Sequence, residues 1–233
     1  MIKFSLVIPC YNESQNLPLL LDRCALIANP EQIEVIIVDN GSNDSTQEVL
    51  QSLLKNYPGC RSIRVEVNKG YGFGILEGLR SARGELIGWT HADLQTDPKD
   101  VLNAMKFFNE SKDDVFCKGR RYGRPLFDML FTIGMSFFES MLLRKFMWDI
   151  NAQPTVFSRS FFCRWQNPPH DFSLDLYAYF MAKKLNLKIC RFPVKFSDRA
   201  FGSSHWNINF KSKLNFIKRT LTYSFTLKKD LYK

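Results

Sequence analysis

A chain of 233 residues, 45% of them apolar and 21 of them phenylalanine, is long enough for one α/β domain with a sizeable core and appendages. Its net charge of +9 points to phosphate-bearing partners, whether nucleic acid, nucleotides or an anionic membrane, without choosing among them. Its six cysteines make no C-x-x-C pair and no zinc-ligand spacing, and its best candidate for a membrane span, Met129 to Phe138, is closed off by Asp128 and Glu139, well short of the roughly 20 apolar residues needed.

The predicted elements alternate from the start. "KFSLVIP" reads as a strand, and "SQNLPLLLDRCALIA" as a helix capped by Ser14. "IEVIIVDN" has the uninterrupted β-branched character of a strand buried on both faces. "NDSTQEVLQSLLKNY" is a helix and "RSIRVEV" a strand. "GYGFGILEGLRSARG" is a glycine-opened helix ending at Gly84, and "ELIGWTHAD" a fourth strand. "DPKDVLNAMKFFNES" is a helix with Pro98 in its first turn, and "DDVFCKGRR" a fifth strand. This order predicts a parallel, doubly wound sheet, whose ligands bind beyond the carboxyl ends of its strands. After Arg124 the pattern changes to an aromatic helix ("RPLFDMLFTIGMSFFESMLLRKFMW"). A strand and helix ("NAQPTVFSRSFF"), a helix ("DFSLDLYAYFMAKKLN") and a strand ("LKICRFPVKF") follow. From Trp206 to Lys233 a basic amphipathic helix is expected, with Phe210, Leu214, Ile217, Leu221 and Phe225 along one face.

The polar residues gather at the predicted strand ends: Pro9-Cys10-Tyr11-Asn12-Glu13, Asp39-Asn40 and His91-Ala92-Asp93. Gly70, Gly72 and Gly74 open a helix after a strand. In a doubly wound protein that would normally suggest a dinucleotide loop, but the acidic strand end lies upstream rather than about 20 residues downstream, against a dehydrogenase. Carboxylates such as Asp171 and Asp175 also favour a helix N-terminus for purely structural reasons. The N-terminus runs straight into a strand with no signal-peptide pattern, and the cysteines read as reduced thiols, so a cytosolic protein is expected.

"VIPCYNE", "VDNGSNDST", "NKGYGFGILEG" and "HADLQTDP", arriving in this order, resemble the family 2 inverting glycosyltransferases of the GT-A fold. The likeness is greatest to the dolichol- and polyprenyl-phosphate mannose and glucose synthases. It covers roughly the first 120 residues and resumes at "DRAFGSSHW". The resemblance implies a Rossmann-like mixed sheet flanked by helices, with C-terminal amphipathic helices. Residues 1–205 would form the transferase domain, with a nucleotide half to about 122 and an acceptor half from about 123 to 205. Residues 206–233 would lie on a membrane surface. It assigns Pro9, Tyr11, Glu13, Asp39, Asn40, Gly70, Gly74, His91, Ala92 and Arg121 to the nucleotide sugar, Arg121 at its diphosphate. It assigns Asp93 and Gln95 to a divalent metal, Mg2+ or Mn2+.

His91 stands where the family carries the first Asp of Asp-x-Asp. It can ligate the metal, hydrogen-bond the ribose or a metal-bound water, or be structural. Asn40 replaces a second acid. Arg199, Ser204 and His205 match a loop that closes over phosphates, the acceptor's among them, with His205 in place of the usual lysine. Asn151 and Gln153 fall at the sugar pocket, and Asp175, with Asp171 as competitor, near the acceptor as a base or a positioning group.

The expected function is therefore inverting transfer of a hexose-type sugar from a UDP- or GDP-sugar to polyprenyl phosphate. It would occur at the cytoplasmic membrane face, with anionic lipid beneath the basic tail. A transferase acting on a surface glycan of lipopolysaccharide, capsule or O-antigen type is the alternative, with Asp175 as its base. A non-catalytic nucleotide-sugar-binding relative is a third reading. No nucleic-acid-binding motif is present.

Overall fold

The structure, a computed structural model, describes residues 1–111, 114–201 and 210–230, with side chains from 217 to 229 in the last segment. Strand β1 (Phe4–Cys10) is flanked by two parallel neighbours, β2 (Ile33–Asn40) and β4 (Leu86–Trp89). Outside β2 lies β3 (Cys60–Val65), also parallel. The full order is β3-β2-β1-β4-β6-β5-β7, with β5 at Val115–Tyr122, β6 at Thr155–Ser158 and β7 at Lys188–Lys195. The short β6 runs antiparallel to both β4 and β5. The sheet is therefore mixed, as the resemblance implies, rather than the all-parallel sheet that alternation alone suggests.

Period-two alternation divides the core between the two faces. From β1, Phe4, Leu6 and Ile8 join α1 (Leu17–Ala25) and α4 (Val101–Glu110) on one side. Val7 joins α3 (Tyr71–Ser81) and α7 (Leu174–Lys184) on the other, with a cluster of aromatics around Trp89, Phe116 and Phe157. The remaining helices are α2 (Thr46–Leu53), α5 (Leu126–Leu142), α6 (Arg159–Phe162) and α8 (Phe210–Asp230).

Several predicted boundaries move. Helix α1 starts at Leu17 behind Asn16, not at Ser14, because Glu13 to Asn16 form a turn and Pro18 fits the first helical turn. Helix α3 stops at Ser81, since Ala82 is already extended. Strand β4 ends at Trp89, which leaves His91 to Asp93 in the loop beyond it. The apolar stripe of α8 is rotated from the expected one. Ser224 and Leu227 are buried, whereas Phe225 is 51% exposed. The cause is a polar tie: Ser224 Oγ donates to the buried Glu139 carboxylate on α5 at 2.6 Å. Phe210 and Leu214 lie outside the described side chains. Helix α5 leaves much of its apolar surface in water, Phe127 at 86% and Phe137 at 67% exposed among them.

At the edge of the sheet opposite the strand ends, Glu34 (2% exposed) accepts from Ser5, Arg61 and Arg83. Burial alone would raise its pKa; the hydrogen bonds from Arg83, Ser5 and Arg61 outweigh burial and bring it down to about 2. Glu34→Ala, which leaves these donors without their acceptor, is expected to cost about 2–3 kcal/mol in denaturant unfolding. In the wild type this contribution is complete above the ordinary carboxylate value of 4.5 and is lost as the pH falls towards 2. The variant should show correspondingly less loss of stability over that range.

Candidate active site

A cleft of about 730 Å3 opens at the carboxyl ends of β1, β2 and β4. The sheet brings to its wall Pro9, Tyr11 and Glu13 from the end of β1, Asn40 from β2, and His91, Ala92, Asp93 and Gln95 from the loop after β4. Gly70, Arg121, Asn151, Asp175 and Arg199 line it as well. Ser204 and His205 lie outside the described residues.

Asp93 is 6% exposed and sits at the centre of this arrangement. One of its oxygens accepts the Gln95 backbone N–H at 3.1 Å and the other pairs with Arg199 Nη2 at 2.9 Å. Gln95 donates its side-chain amide to the Ser197 carbonyl at 3.3 Å, which ties the loop after β4 to the segment carrying Arg199. His91 stacks on Tyr71, 5.6 Å between ring centroids, and Tyr71 stacks on Phe172 at 4.5 Å. Burial lowers the pKa of His91 from its ordinary 6.5, against the pull of Asp93 and Asp175, with Arg121 and Arg199 adding to the depression. It is therefore a neutral imidazole at pH 7.

Among the described residues, no three His, Cys, Asp or Glu side chains gather into a metal cage. One carboxylate, one amide and one neutral imidazole do fit a Mg2+ or Mn2+ that draws its other ligands from phosphates and water.

After β1, Tyr11 receives a hydrogen bond from Asn43 at 3.3 Å, and Glu13 receives one from Asn16 at 2.5 Å. Asp39 is at the expected strand end but is not among the residues lining the cleft. Its carboxylate takes Arg64 Nη1 at 2.5 Å and the Ser42 N–H at 2.9 Å. Asn40 donates to the Gly70 carbonyl at 2.9 Å, while its own side-chain oxygen is buried and unpartnered. The glycines have a packing role. Gly70 holds φ at +112° with its α-carbon facing the His170 carbonyl, so that a Cβ would lie 2.4 Å from that oxygen. A Cβ on Gly74 would lie 2.9 Å from the Asn40 side chain. They let α3 seat against the segment before α7 and against Asn40.

At the cleft wall and behind it lies a set of paired charges. Asp149 binds Arg121 through Nε at 3.0 Å and Nη2 at 2.5 Å, and Arg121 also stacks over Phe196 beside Arg124. Burial would raise the Asp149 pKa, but the charge and hydrogen bonds of Arg121 outweigh it and hold the carboxyl low. Gln153, expected at the sugar pocket, is 1% exposed and does not line the cleft. It donates to Asp175 Oδ1 at 2.6 Å instead. Lys118, wholly buried in β5, reaches the same oxygen at 3.0 Å. Lys118, Arg121 and Arg191 thus face two buried acids, Asp149 and Asp175, which leaves an excess of positive charge behind the wall. Helix α8 adds Arg219, paired with Asp171 at 3.3 Å and 5.6 Å from the Phe172 ring. The signal for Lys118 was there to read: a lysine inside a strand otherwise built to be buried. Asp149, in an irregular segment, had none.

A central strand between two parallel neighbours, with an acid, an imidazole and arginines at their carboxyl ends, is the position at which open α/β sheets bind ligands. The family described as "Glycosyl transferase family 2" matches residues 5–167, and the chain belongs to that family. A curated relative, the undecaprenyl-phosphate 4-deoxy-4-formamido-L-arabinose transferase of Yersinia enterocolitica, is 37% identical over 119 residues. That match covers 48% of this chain but only 36% of the relative. The Serratia proteamaculans protein of the same name is 36% identical over the same shares. Among solved structures, glucosyl-3-phosphoglycerate synthase from Mycobacterium tuberculosis, in complex with Mn2+, UDP and glucosyl-3-phosphoglycerate, superposes with a TM-score of 0.76. It is 15% identical over 97% of this chain and 80% of that one. A mannosyltransferase from Pyrobaculum calidifontis, in complex with GDP-mannose and Mn2+, gives 0.63 at 18% identity over 86% and 58%. These likenesses establish the GT-A fold.

With only three histidines in the chain, His91 can be followed by NMR. Its titration midpoint is expected below 6.5, because burial opposes the charged ring. A midpoint above 7 would show an imidazolium facing Asp93 at neutral pH instead.

Proposed function

We propose that the chain is a metal-assisted, inverting hexosyltransferase that moves a sugar from a UDP- or GDP-sugar to polyprenyl phosphate at the cytoplasmic face of a membrane. The observation that carries this reading is the placement of Asp93 and Arg199 together in a cleft backed by excess positive charge. A nucleoside diphosphate leaving group gathers negative charge as the bond to the sugar breaks, and fixed cations aimed at that charge lower the barrier.

Asp93, with Gln95 and His91 beside it, would hold Mg2+ or Mn2+, which supplies Lewis-acid neutralisation of the diphosphate when bound. Arg199, now paired with Asp93, is placed to turn to a phosphate as the nucleotide arrives. Arg121 is fixed at one edge by Asp149, and its neighbour Arg124 extends the cationic wall. Pro9, Tyr11, Glu13 and Asn40 would receive the nucleoside, and Asn151 the sugar. Asp175 would orient the acceptor. A phosphate acceptor is already ionised at neutral pH and needs no base, so Asp175 in this reading positions rather than deprotonates.

Two observations favour a lipid-linked acceptor. The curated relatives are named as acting on undecaprenyl phosphate. Helix α5, which contributes Phe131, Met135 and Glu139 to the cleft, exposes Phe127, Phe137 and Met141 outward. Such a face can lie in a headgroup layer, and Lys218, Lys228 and Lys229 on α8 would add about 1 kcal/mol each near anionic lipid. No helix among the described residues is long and apolar enough to cross a membrane. Residues 1–205 form the transferase unit in this reading, and 206–233 the surface helix, which also lends Arg219 and Thr220 to the cleft.

The test is a transfer assay with labelled UDP- and GDP-sugars, polyprenyl-phosphate vesicles, and Mn2+, Mg2+ or EDTA. Label is expected in lipid only with metal, and Asp93→Asn is expected to lower turnover by about 100-fold or more. Full activity in EDTA, or a fully active Asp93→Asn, would contradict it. Label in a glycan with none in lipid would move the acceptor to a surface polysaccharide.

A further inference from the structure

Beneath the cleft floor, four side chains close a ring. Lys118 Nζ donates to Thr155 Oγ1 at 2.7 Å and to Asp175 Oδ1 at 3.0 Å. Thr155 Oγ1 donates to Gln153 Oε1 at 3.2 Å, and Gln153 Nε2 donates to the same Asp175 Oδ1 at 2.6 Å. Lys118 and Thr155 are 0% exposed, Gln153 1% and Asp175 2%. The backbone is shaped around this ring. A Cβ on Gly119, the residue after Lys118, would stand 2.2 Å from the Gln153 carbonyl oxygen, so β5 and the Gln153 segment approach as only glycine allows.

Isolated in a core, a lysine would be an expensive way to stabilise a fold, because desolvating an ion pair consumes most of the attraction it gains. Here the pair lies directly under a ligand cleft. Both hydrogen bonds to the Asp175 carboxylate converge on Oδ1, and Asp175 is one of the residues lining the cleft. Oδ2 carries neither of these bonds. Tyr71 lines the cleft as well, with its buried hydroxyl near Asp175 and Trp89.

We propose that Lys118 is a positioning residue for the transfer: it anchors Asp175 by Oδ1, through the ring with Gln153 and Thr155, so that the second carboxylate oxygen is presented to the acceptor. The inference rests on the transferase reading above and deepens it, by adding a residue no sequence motif marks. The charged groups facing Lys118 are Asp175 from α7, Arg191 from β7 and Asp149 from the segment before β6. Burial pulls the Lys118 ammonium down from 10.5 to about 8, Asp175 and Asp149 pull it back up, and Arg191 adds to the fall. Lys118 therefore keeps its proton at neutral pH and loses it, with its grip on Asp175, as the pH rises through about 8.

The experiment compares full-length wild type, Lys118→Met, Asp175→Asn and the double variant in steady-state transfer, with calorimetric binding of UDP or GDP and thermal unfolding in parallel. Lys118→Met is expected to lose about 100-fold in kcat while nucleotide affinity stays within about threefold. The double variant is expected to be no slower than Asp175→Asn, because the two residues act as one unit. Wild-type turnover in Lys118→Met, or losses that multiply in the double variant, would overturn the inference and leave the transferase reading standing. A wild type that binds nucleotide but transfers to no acceptor would overturn both. If Lys118→Met does not fold, the wild-type pH profile decides. A fall in kcat through about pH 8 supports the anchor, and a kcat constant to about pH 9.5 overturns it.

Discussion

Strand β1 pairs in parallel on both sides, with β2 and with β4, and the rest of the site depends on that one constraint. Parallel register sends the three carboxyl ends to the same edge: Cys10 stands beside Asp39, β4 stops earlier with Trp89 beside Val7, and the chain turns there three times. A crevice forms where connections leave in different directions. The turns after β1 and β4 then deliver Tyr11, Glu13, His91 and Asp93 into it. The antiparallel β6 continues the sheet beyond β4 by placing Thr155 beside Trp89 and Lys118.

Electrostatics follow from that geometry. Three acids at or behind the cleft each meet a specific cation: Asp93 with Arg199, Asp149 with Arg121, Asp175 with Lys118. A carboxylate desolvated this far would otherwise be driven to take up a proton. The pairing differs in permanence. Arg121 and Lys118 are shielded from water and fixed by several hydrogen bonds, whereas Arg199 holds Asp93 by one contact from a segment that is partly exposed. The Asp149–Arg121 and Asp175–Lys118 pairs are therefore the more fixed, and Asp93–Arg199 the more exchangeable. In the proposed reading, a histidine in place of the family's first Asp leaves a divalent ion few protein ligands, so metal and nucleotide would bind cooperatively.

Much of this was legible in the sequence, and the reason is locality. Pro9 to Glu13, Asn40, His91 to Gln95 and Arg121 each sit within a few residues of a strand whose apolar run is unmistakable. Reading the strand therefore places the residue, and all of them but Asn12 and Leu94 line the cleft. What was not legible depends on contacts between distant segments. Gln153 falls beside the expected sugar pocket in sequence, but its amide is claimed by Asp175, 22 residues on. Asp39 reaches the strand end, but Arg64 on the neighbouring strand takes its carboxylate. The face of α8 was misjudged because hydrophobic periodicity does not see that the buried Glu139 recruits Ser224. Tyr71 and Phe172 stack across 101 positions of chain, which no local pattern records.

The central claim, that one carboxylate and a nucleotide diphosphate build the metal site together, is tested most directly by titrating Mn2+ with and without UDP or GDP and following free Mn2+ by electron paramagnetic resonance. The account predicts weak Mn2+ binding to the protein alone, and tightening by about tenfold or more when the nucleotide is present, with the reciprocal gain in nucleotide affinity. Asp93→Asn should abolish that coupling. Tight Mn2+ binding without nucleotide, or nucleotide binding indifferent to Mn2+, would contradict it.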